Sequence, residues 1–490
     1  MPSRKGADHV WGYKKKVNNI VRNVEFHVLD EEKIKKIHEK SLYIMENIGM
    51  RVGGERAVEL LTGHGARIGK DGLMRISAGM VAKALESAPK KLVLYNRSGE
   101  EAMVVDSEKN QVYFGTHSDQ LEIVDPSDGG VRKFLKKDVA AMCRIADALP
   151  NIHFVLSVGM TADVNPRVQT QSTFIETLRH FSKTINFSSN SVDSLKDCLN
   201  IAADFAGGMQ KLQEKPFIFY YCEPIPPLTH PPDSTEKAYI SAENRIPLIY
   251  MPYCMMGGTS PVNLATTLAQ SNAEVLFGLV LSQLVSEGAP FIYGAMPSIL
   301  DMRTTIGSYA APEFHLCVAA MADLAAYYGL PFYGTAGCSD AKAVDEQSVS
   351  EVAFQILSTM LSKANLVHDV GVLDHCNNVS PEMVVLANEI IESLKYYTRG
   401  IDAGEDDFVL DLVEKVGPGG HYIDEMHTLE NFRQVWYPEI FSREKVTGPG
   451  STIKQKIRQK IKGILENGAG RALEQGQAEA LDEWEKRLGL

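Results

Sequence analysis

The chain has 490 residues, 44% of them hydrophobic, and 62 acidic against 50 basic side chains give it a net charge of −12. Such a length and composition fit a folded protein of two or three domains with a large core, and exclude a disordered one. The acidic balance excludes non-specific nucleic-acid binding, which needs clustered Lys and Arg, so the short run Lys14-Lys15-Lys16 reads as solvated surface.

About 110 residues precede the first strong strand signal, with one helix expected near Asp30–Ile48 and another near Ala78–Ser87. Eight short β-rich runs bounded by Gly, Pro, Ser or Asn then follow. They are Val112–Gly115, Ile152–Val158, Ser182–Asn190, Phe217–Pro224, Leu248–Cys254, Phe291–Met296, Pro331–Gly337 and Leu366–Leu373. Their starts lie 30 to 43 residues apart, close to the length of a strand–helix–strand unit. The intervals read as helices, and Pro261–Glu287 carries apolar residues at spacings of three, four and seven. Asn165-Pro166, Ser260-Pro261 and Ser380-Pro381 look like a cap followed by Pro at the first helical position, and Gly329 looks like a helix stop.

Eight alternating strands and helices predict parallel strands joined by right-handed crossovers, closed into a (β/α)8 TIM barrel. The rival, a doubly wound nucleotide-binding sheet, would want G-x-G-x-x-G or a P-loop, and neither occurs. The expected organisation is a helical or mixed extension over 1–111, the barrel over 112–400 and a helical extension over 401–490. The last helical stretch, from Ser451, is rich in Lys, Glu and Gln and reads as a surface or partner helix.

The longest apolar stretch, Ala273 to Val285, holds Glu274, Ser282 and Gln283 and falls short of the roughly 20 residues of a membrane span. No signal-peptide pattern is visible, and seven scattered cysteines read as reduced thiols, so a cytoplasmic protein is expected.

In such barrels the reactive groups sit at strand C-termini and in the loops that follow. The candidates there are Tyr113, His117, Asp119, Ser188, Ser189, Asn190, Tyr221, Cys222, Glu223, Tyr253 and Cys254. Further along come Tyr293, Ser298, Tyr333, Cys338, Asp340, Lys342, His368, Asp369 and His375. Tyrosine is over-represented in the runs, which hold seven of the chain's 18. β-propensity explains part of the excess, and an aromatic pocket that binds a quaternary ammonium would explain the rest. His315 and Cys317 are two apart on an expected helix and point away from each other, so they cannot share an ion. No H-e-x-x-H, C-x-x-C or G-x-S-x-G pattern occurs, and no metal or nucleotide is expected to be bound by this chain.

Several stretches, in this order and spacing, resemble the trimethylamine methyltransferase superfamily in its branch that lacks pyrrolysine. They include Asn151-Ile-His-Phe-Val155, Pro261-Val-Asn-Leu-Ala265, Gly288-Ala-Pro-Phe-Ile-Tyr-Gly294, Asp301-Met-Arg-Thr304 and Tyr328-Gly-Leu-Pro331. Others are Ser339-Asp-Ala-Lys342, Val416-Gly-Pro-Gly-Gly-His421 and His427-Thr-Leu-Glu430. The resemblance implies a (β/α)8 barrel and methyl transfer from a methylated amine to the Co(I) corrinoid of a separate small protein. Thr304–Ala311, which follows the sixth strand where that family can carry pyrrolysine, holds only ordinary residues here. The implied substrate is therefore a quaternary amine: glycine betaine, carnitine, proline betaine or γ-butyrobetaine. A quaternary nitrogen already carries the charge that makes a neutral tertiary amine a leaving group, so no catalytic side chain is required and orientation suffices.

With that resemblance, Tyr113, Tyr253, Tyr293 and Tyr333 become candidate cage residues, and His368, His117 and Asn190 candidate donors to the substrate carboxylate. Asp340 and Lys342 are expected at the mouth where the corrinoid protein docks. The D-x-H-x-x-G signature of a corrinoid-binding domain is missing, since Asp8-His9 lacks the spacing, so cobalamin is expected on the partner. Two alternatives stay open: a non-catalytic betaine-binding protein, and a metal-dependent hydrolase on the same fold. A homo-oligomer fits the partly apolar exterior.

Overall fold

The computed structural model describes residues 24–117, 119–443, 445, 452–467 and 471–490. Lys14-Lys15-Lys16, Asp8-His9 and Ser451 lie outside the described residues. The barrel consists of β1 Tyr113–Thr116, β2 Phe154–Leu156, β3 Thr184–Phe187, β4 Ile218–Cys222, β5 Leu248–Tyr250, β6 Phe291–Gly294, β7 Phe332–Thr335 and β8 Leu366–Val370. These eight pair in sequence order, all parallel, and β8 closes on β1. Each falls within or directly against one of the eight runs expected from the sequence. Every residue in them is buried, because helices cover the outer face and side chains fill the interior; hence they read as short continuous apolar runs.

The helices that follow are α1 Lys136–Ala148, α2 Gln169–His180, α3 Val192–Ala206, α4 Pro232–Glu243, α5 Leu264–Val285, α6 Pro312–Tyr328, α7 Glu346–Leu361 and α8 Pro381–Tyr397. α8 starts as expected, with the Ser380 hydroxyl accepting from Met383 N, and Gly329 ends α6 at φ 63°. Two starts differ. α2 begins at Gln169 rather than Pro166, and α5 at Leu264 rather than Pro261, where Asn263 accepts from Thr266 N. In both cases two further residues, Arg167-Val168 and Val262-Asn263, follow the proline before the helix is entered.

α5 has 22 residues, so by length and composition it could cross a membrane, against the shorter stretch read from the sequence. Most of it is buried inside the protein. Helices Glu31–Tyr43 and Ala78–Ser87 cover its outer side, which explains a helix that is apolar all round.

The lower end of the barrel, where the strands begin, is closed by a hairpin of Lys91–Tyr95 and Glu101–Asp106. Thr184 Oγ1 donates to Tyr95 O at 2.7 Å, and Asn365 Nδ2 donates to Asp106 O at 3.1 Å. Helices Ile453–Asn467 and Gln475–Leu488 do not stand free. They pack on α8 and α1, and on α3 and α2, burying Ile457, Ile461, Leu481 and Trp484, and Trp484 Nε1 donates to Asp204 at 2.8 Å.

Two small sheets form lips over the upper end. Met255–Met256, Ser298–Asp301 and Ile306–Ser308 make one; Glu122–Val124, Val131–Lys133, Val372–Leu373 and Asn378–Val379 make the other.

Candidate active site

Side chains alternate along a strand, so every second residue of a barrel strand faces inward. Phe154 on β2, Phe219 on β4 and Tyr333 on β7 touch one another, with ring centroids 5.4 to 6.4 Å apart, although no two of these strands are neighbours. They can meet only inside the barrel, and they form its floor. Gly115 on β1 belongs to this layer: a Cβ there would lie 2.2 Å from the Phe154 ring, so only glycine fits. Asn186 on β3 reaches across and donates Nδ2 to the Tyr333 hydroxyl at 2.7 Å, with both residues fully buried.

Two residues further up, the same inward faces carry chemistry. β4 continues from Phe219 to Tyr221 and then Glu223, β1 from Gly115 to His117 and then Asp119, and β3 from Asn186 to Ser188. Tyr221 and Tyr333 pack against the His368 ring, with centroids 5.8 and 4.7 Å away. The Tyr221 hydroxyl donates to Glu223 Oε1 at 2.6 Å, and Ser188 Oγ donates to Asp119 Oδ2. On β8 the register shifts between Val367 and Val370, and Asp369 sits at φ 78°. This bulge brings His368 and Asp369 to the mouth together, with Nε2 and Oδ2 3.4 Å apart, and leaves Asp369 Oδ1 buried without a partner.

Three carboxyl groups thus ring the mouth. Enclosure pushes Asp119 up to about 6 and Glu223 up to about 7, and Asp119 and Asp369 add repulsion at Glu223. Burial also raises Asp369. Glu223 nevertheless has an exposed surface, because the well it projects into is open to solvent. The thiols nearby cannot serve as ready nucleophiles: burial pushes Cys376 and Cys222 up to about 12 and Cys338 well above its ordinary value.

The lips complete the site. Tyr253 stacks on Tyr309 with ring centroids 5.8 Å apart, and Gly307 makes room for it, since a Cβ there would sit 2.7 Å from the Tyr253 hydroxyl. Asp340 ties the lips together: it accepts from Ser308 Oγ at 2.5 Å and Tyr309 N at 2.9 Å, and meets His375 Nδ1 at 3.1 Å. Asp374, His375 and Cys376 all take left-handed backbone, with φ between 52° and 70°. Such strain at three consecutive non-glycine residues persists only where the surroundings hold it. A side cavity of about 60 Å³ opens beside the mouth between β2, β3 and α2, lined by Asp119, Asn186, Ser188 and Asn190 among others. Among the described residues, no group of three or more His, Cys, Asp or Glu could hold a metal ion.

The structure gathers only part of the residues expected from the sequence. Tyr333, His368 and His117 lie in the well, Tyr253 and Asp340 in the lips, and Asn190 on the exposed rim of the side cavity, donating to Pro166 O. Lys342 is exposed and pairs with Asp374 at 2.6 Å. Tyr113 corrects the expectation: as the first residue of β1 it sits at the lower end, 3.1 Å from Gln111 and against His153. Tyr293 corrects it too, because it points outward and donates to Asn272 on α5 at 2.7 Å. His117 is placed differently in chemistry. Its Nε2 proton is committed to Val158 O at 2.6 Å and burial lowers it to about 4, so it is neutral and its Nδ1 can only accept. His315 likewise bonds Tyr309 O from α6. Asn186 and Tyr309 were missed altogether; strand alternation counted back from Ser188 could have found the first.

A family model described as trimethylamine methyltransferase matches residues 3–488 of this chain. The chain is 30% identical over 423 residues to glycine betaine methyltransferase of Desulfitobacterium hafniense, covering 85% of this chain and 87% of that protein. It is 29% identical over 413 residues to a trimethylamine methyltransferase of Methanosarcina barkeri, covering 83% of each. Among solved structures, the monomethylamine methyltransferase of Methanosarcina barkeri superposes with a TM-score of 0.50 at 12% identity, over 98% of this chain and 90% of that one, a likeness of fold. The chain is a methyltransferase and belongs to the trimethylamine methyltransferase family.

Proposed function

We propose that this methyltransferase takes a methyl group from a quaternary ammonium of the betaine type and passes it to the Co(I) corrinoid of a separate partner protein. Glycine betaine, carnitine, proline betaine and γ-butyrobetaine are the substrates considered. The observation that carries the reading is the well itself, where the Tyr221, Tyr333 and His368 rings lie beneath the carboxyl groups of Asp119, Glu223 and Asp369. Ring faces and the Asp119 carboxylate, ionised above about 6, both attract a cation that has no hydrogen-bond donors, and the apolar floor shields it from water.

The open rim around Glu223 suits a corrinoid presented from outside, whose contribution when bound is a Co(I) nucleophile. The C–N bond breaks, nitrogen keeps the electron pair and leaves as a neutral tertiary amine, and the methyl group passes to the corrinoid. The chain's own residues hold the ammonium in line and exclude water. For the substrate carboxylate, Glu223 is the best-placed donor: pushed up to about 7, it carries its proton on the acidic side of neutrality. Tyr253 and Tyr309 wall the approach, and Asp340 and Lys342 face the docking side. The reaction belongs in the cytoplasm, in keeping with seven unpaired thiols.

The test mixes purified protein with Co(I) cobalamin and each betaine and follows the loss of Co(I) absorbance. Transfer from at least one betaine above a heat-denatured control is expected. Binding without transfer would leave a betaine-binding protein, and neither binding nor transfer would reject the reading.

A further inference from the structure

From residue 401 to residue 437 not one side chain is buried. These 37 positions nevertheless carry twelve of the thirty exposed large apolar side chains of the described residues, among them Ile401, Phe408, Leu410, Ile423 and Met426 at 58 to 90% exposure. The segment contains two α-helices, Leu410–Val416 and Met426–Asn431, of seven and six residues, and two single 3-10 turns. Helices that short do not hold in water unless another surface packs against them. So long an apolar stretch without a core of its own is an unfinished interface.

The matching surface lies elsewhere on the same chain. A groove of about 580 Å³ runs between helix Glu31–Tyr43 and the first turns of α5 and α6. Its floor is apolar, with Leu29, Ile37, Leu268 and Ala320, and its rim carries Lys33, Lys36 and Lys40 on one face of the helix. The start of the exposed segment is its electrostatic complement: residues 401–416 hold six carboxylates, including Asp406 and Asp411, against the single Lys415.

Within one copy the arm does not line this groove. It leaves from the end of α8 and returns there, where Tyr396 donates to Gln434 O at 2.8 Å and Ile440 N and Phe441 N donate to Glu389. α8 packs on α7 and α1, whereas the groove lies over α5 and α6, part of the way around the barrel.

We propose that the protein self-associates by laying residues 401–416 of one copy in the lysine-rimmed groove of a second copy. A two-fold pair exchanges both arms and satisfies both grooves, leaving no open contact for further growth. The lysines give the contact its polarity, and the apolar residues of the arm give it its area.

Sedimentation of the full chain tests this. The wild type is expected to run as a dimer or a larger closed assembly, and to weaken at high salt. K36E/K40E and D406K/D411K, each checked for native circular dichroism, are each expected to run as monomers. Mixed in equal amounts they should reassemble, because the lysine arm then meets the glutamate groove and the acidic arm meets the lysine groove. If either variant fails to fold, Ile401→Asp, which changes one exposed side chain, takes its place and should lower the assembled fraction at least tenfold. A monomeric wild type overturns the proposal, as would occupation of the groove by another segment or by the corrinoid protein. Charge-reversed variants that stay assembled, or a mixture that stays monomeric, overturn it too.

Discussion

The buried pair of Tyr333 and Asn186 is the sharpest point at which to press the site. Tyr333→Phe keeps the ring but removes the acceptor of Asn186 Nδ2, in a place that no solvent reaches. A buried donor left without a partner costs about 1–3 kcal/mol, so the variant should unfold earlier in urea by that amount. Asn186→Leu combined with Tyr333→Phe removes both partners and should recover most of the loss. Tyr333→Leu removes the ring face instead. A desolvated cation–ring contact is worth about 2 kcal/mol, so betaine binding should weaken about 30-fold while the phenylalanine variant binds nearly as wild type. Urea titration followed by calorimetric binding of glycine betaine separates the two effects. Unchanged affinity in the leucine variant would refute the ring as part of the cation site, and an undiminished stability in Tyr333→Phe would refute the bond across the barrel.

Three further outcomes follow from the same geometry. Glu223, raised to about 7, is protonated below that pH and donates to a substrate carboxylate, whereas above it the anion favours a plain cation. The ratio of glycine betaine affinity to choline affinity should therefore fall as pH rises through 7, and Glu223→Gln should flatten that dependence. Asp369→Gly removes a non-glycine residue at φ 78° and a buried carboxyl oxygen without a partner, so the apparent melting temperature should rise while methyl transfer falls. Glu274, buried on α5 between Leu228 N, Gln270 and Cys254, is raised to about 7 by desolvation. Its unfolded form ionises near its ordinary value, so stability is lost as pH rises from about 4.5 to 7, by roughly 3 kcal/mol at most, and Glu274→Gln should abolish that part of the slope.

The barrel was legible because each of its strands is covered on both faces and short. Runs such as Phe291–Gly294 and Leu366–Val370 stand out as apolar stretches between helices, and their spacing is that of the repeating unit. Helix starts were less legible at Pro166 and Pro261, where proline also suits a turn, and only the chain's path shows which is present. The tyrosine excess misled in part. Tyr113 serves the lower closure and Tyr293 the contact with α5, while Tyr220 and Tyr250 bond Ser189 and His230.

By itself, the sequence determined the number of strands, their order and the resemblance that names the chemistry, since these follow from local periodicity and residue identity. The tertiary structure decided which groups share the well. Alternation along β1, β3 and β4 sets Asp119, Ser188 and Glu223 inward, a bulge turns Asp369 to join His368, and two lips from distant loops meet at Asp340. It also left residues 401–437 without a core, which no composition could reveal, because that arm is as apolar as the segments that found one.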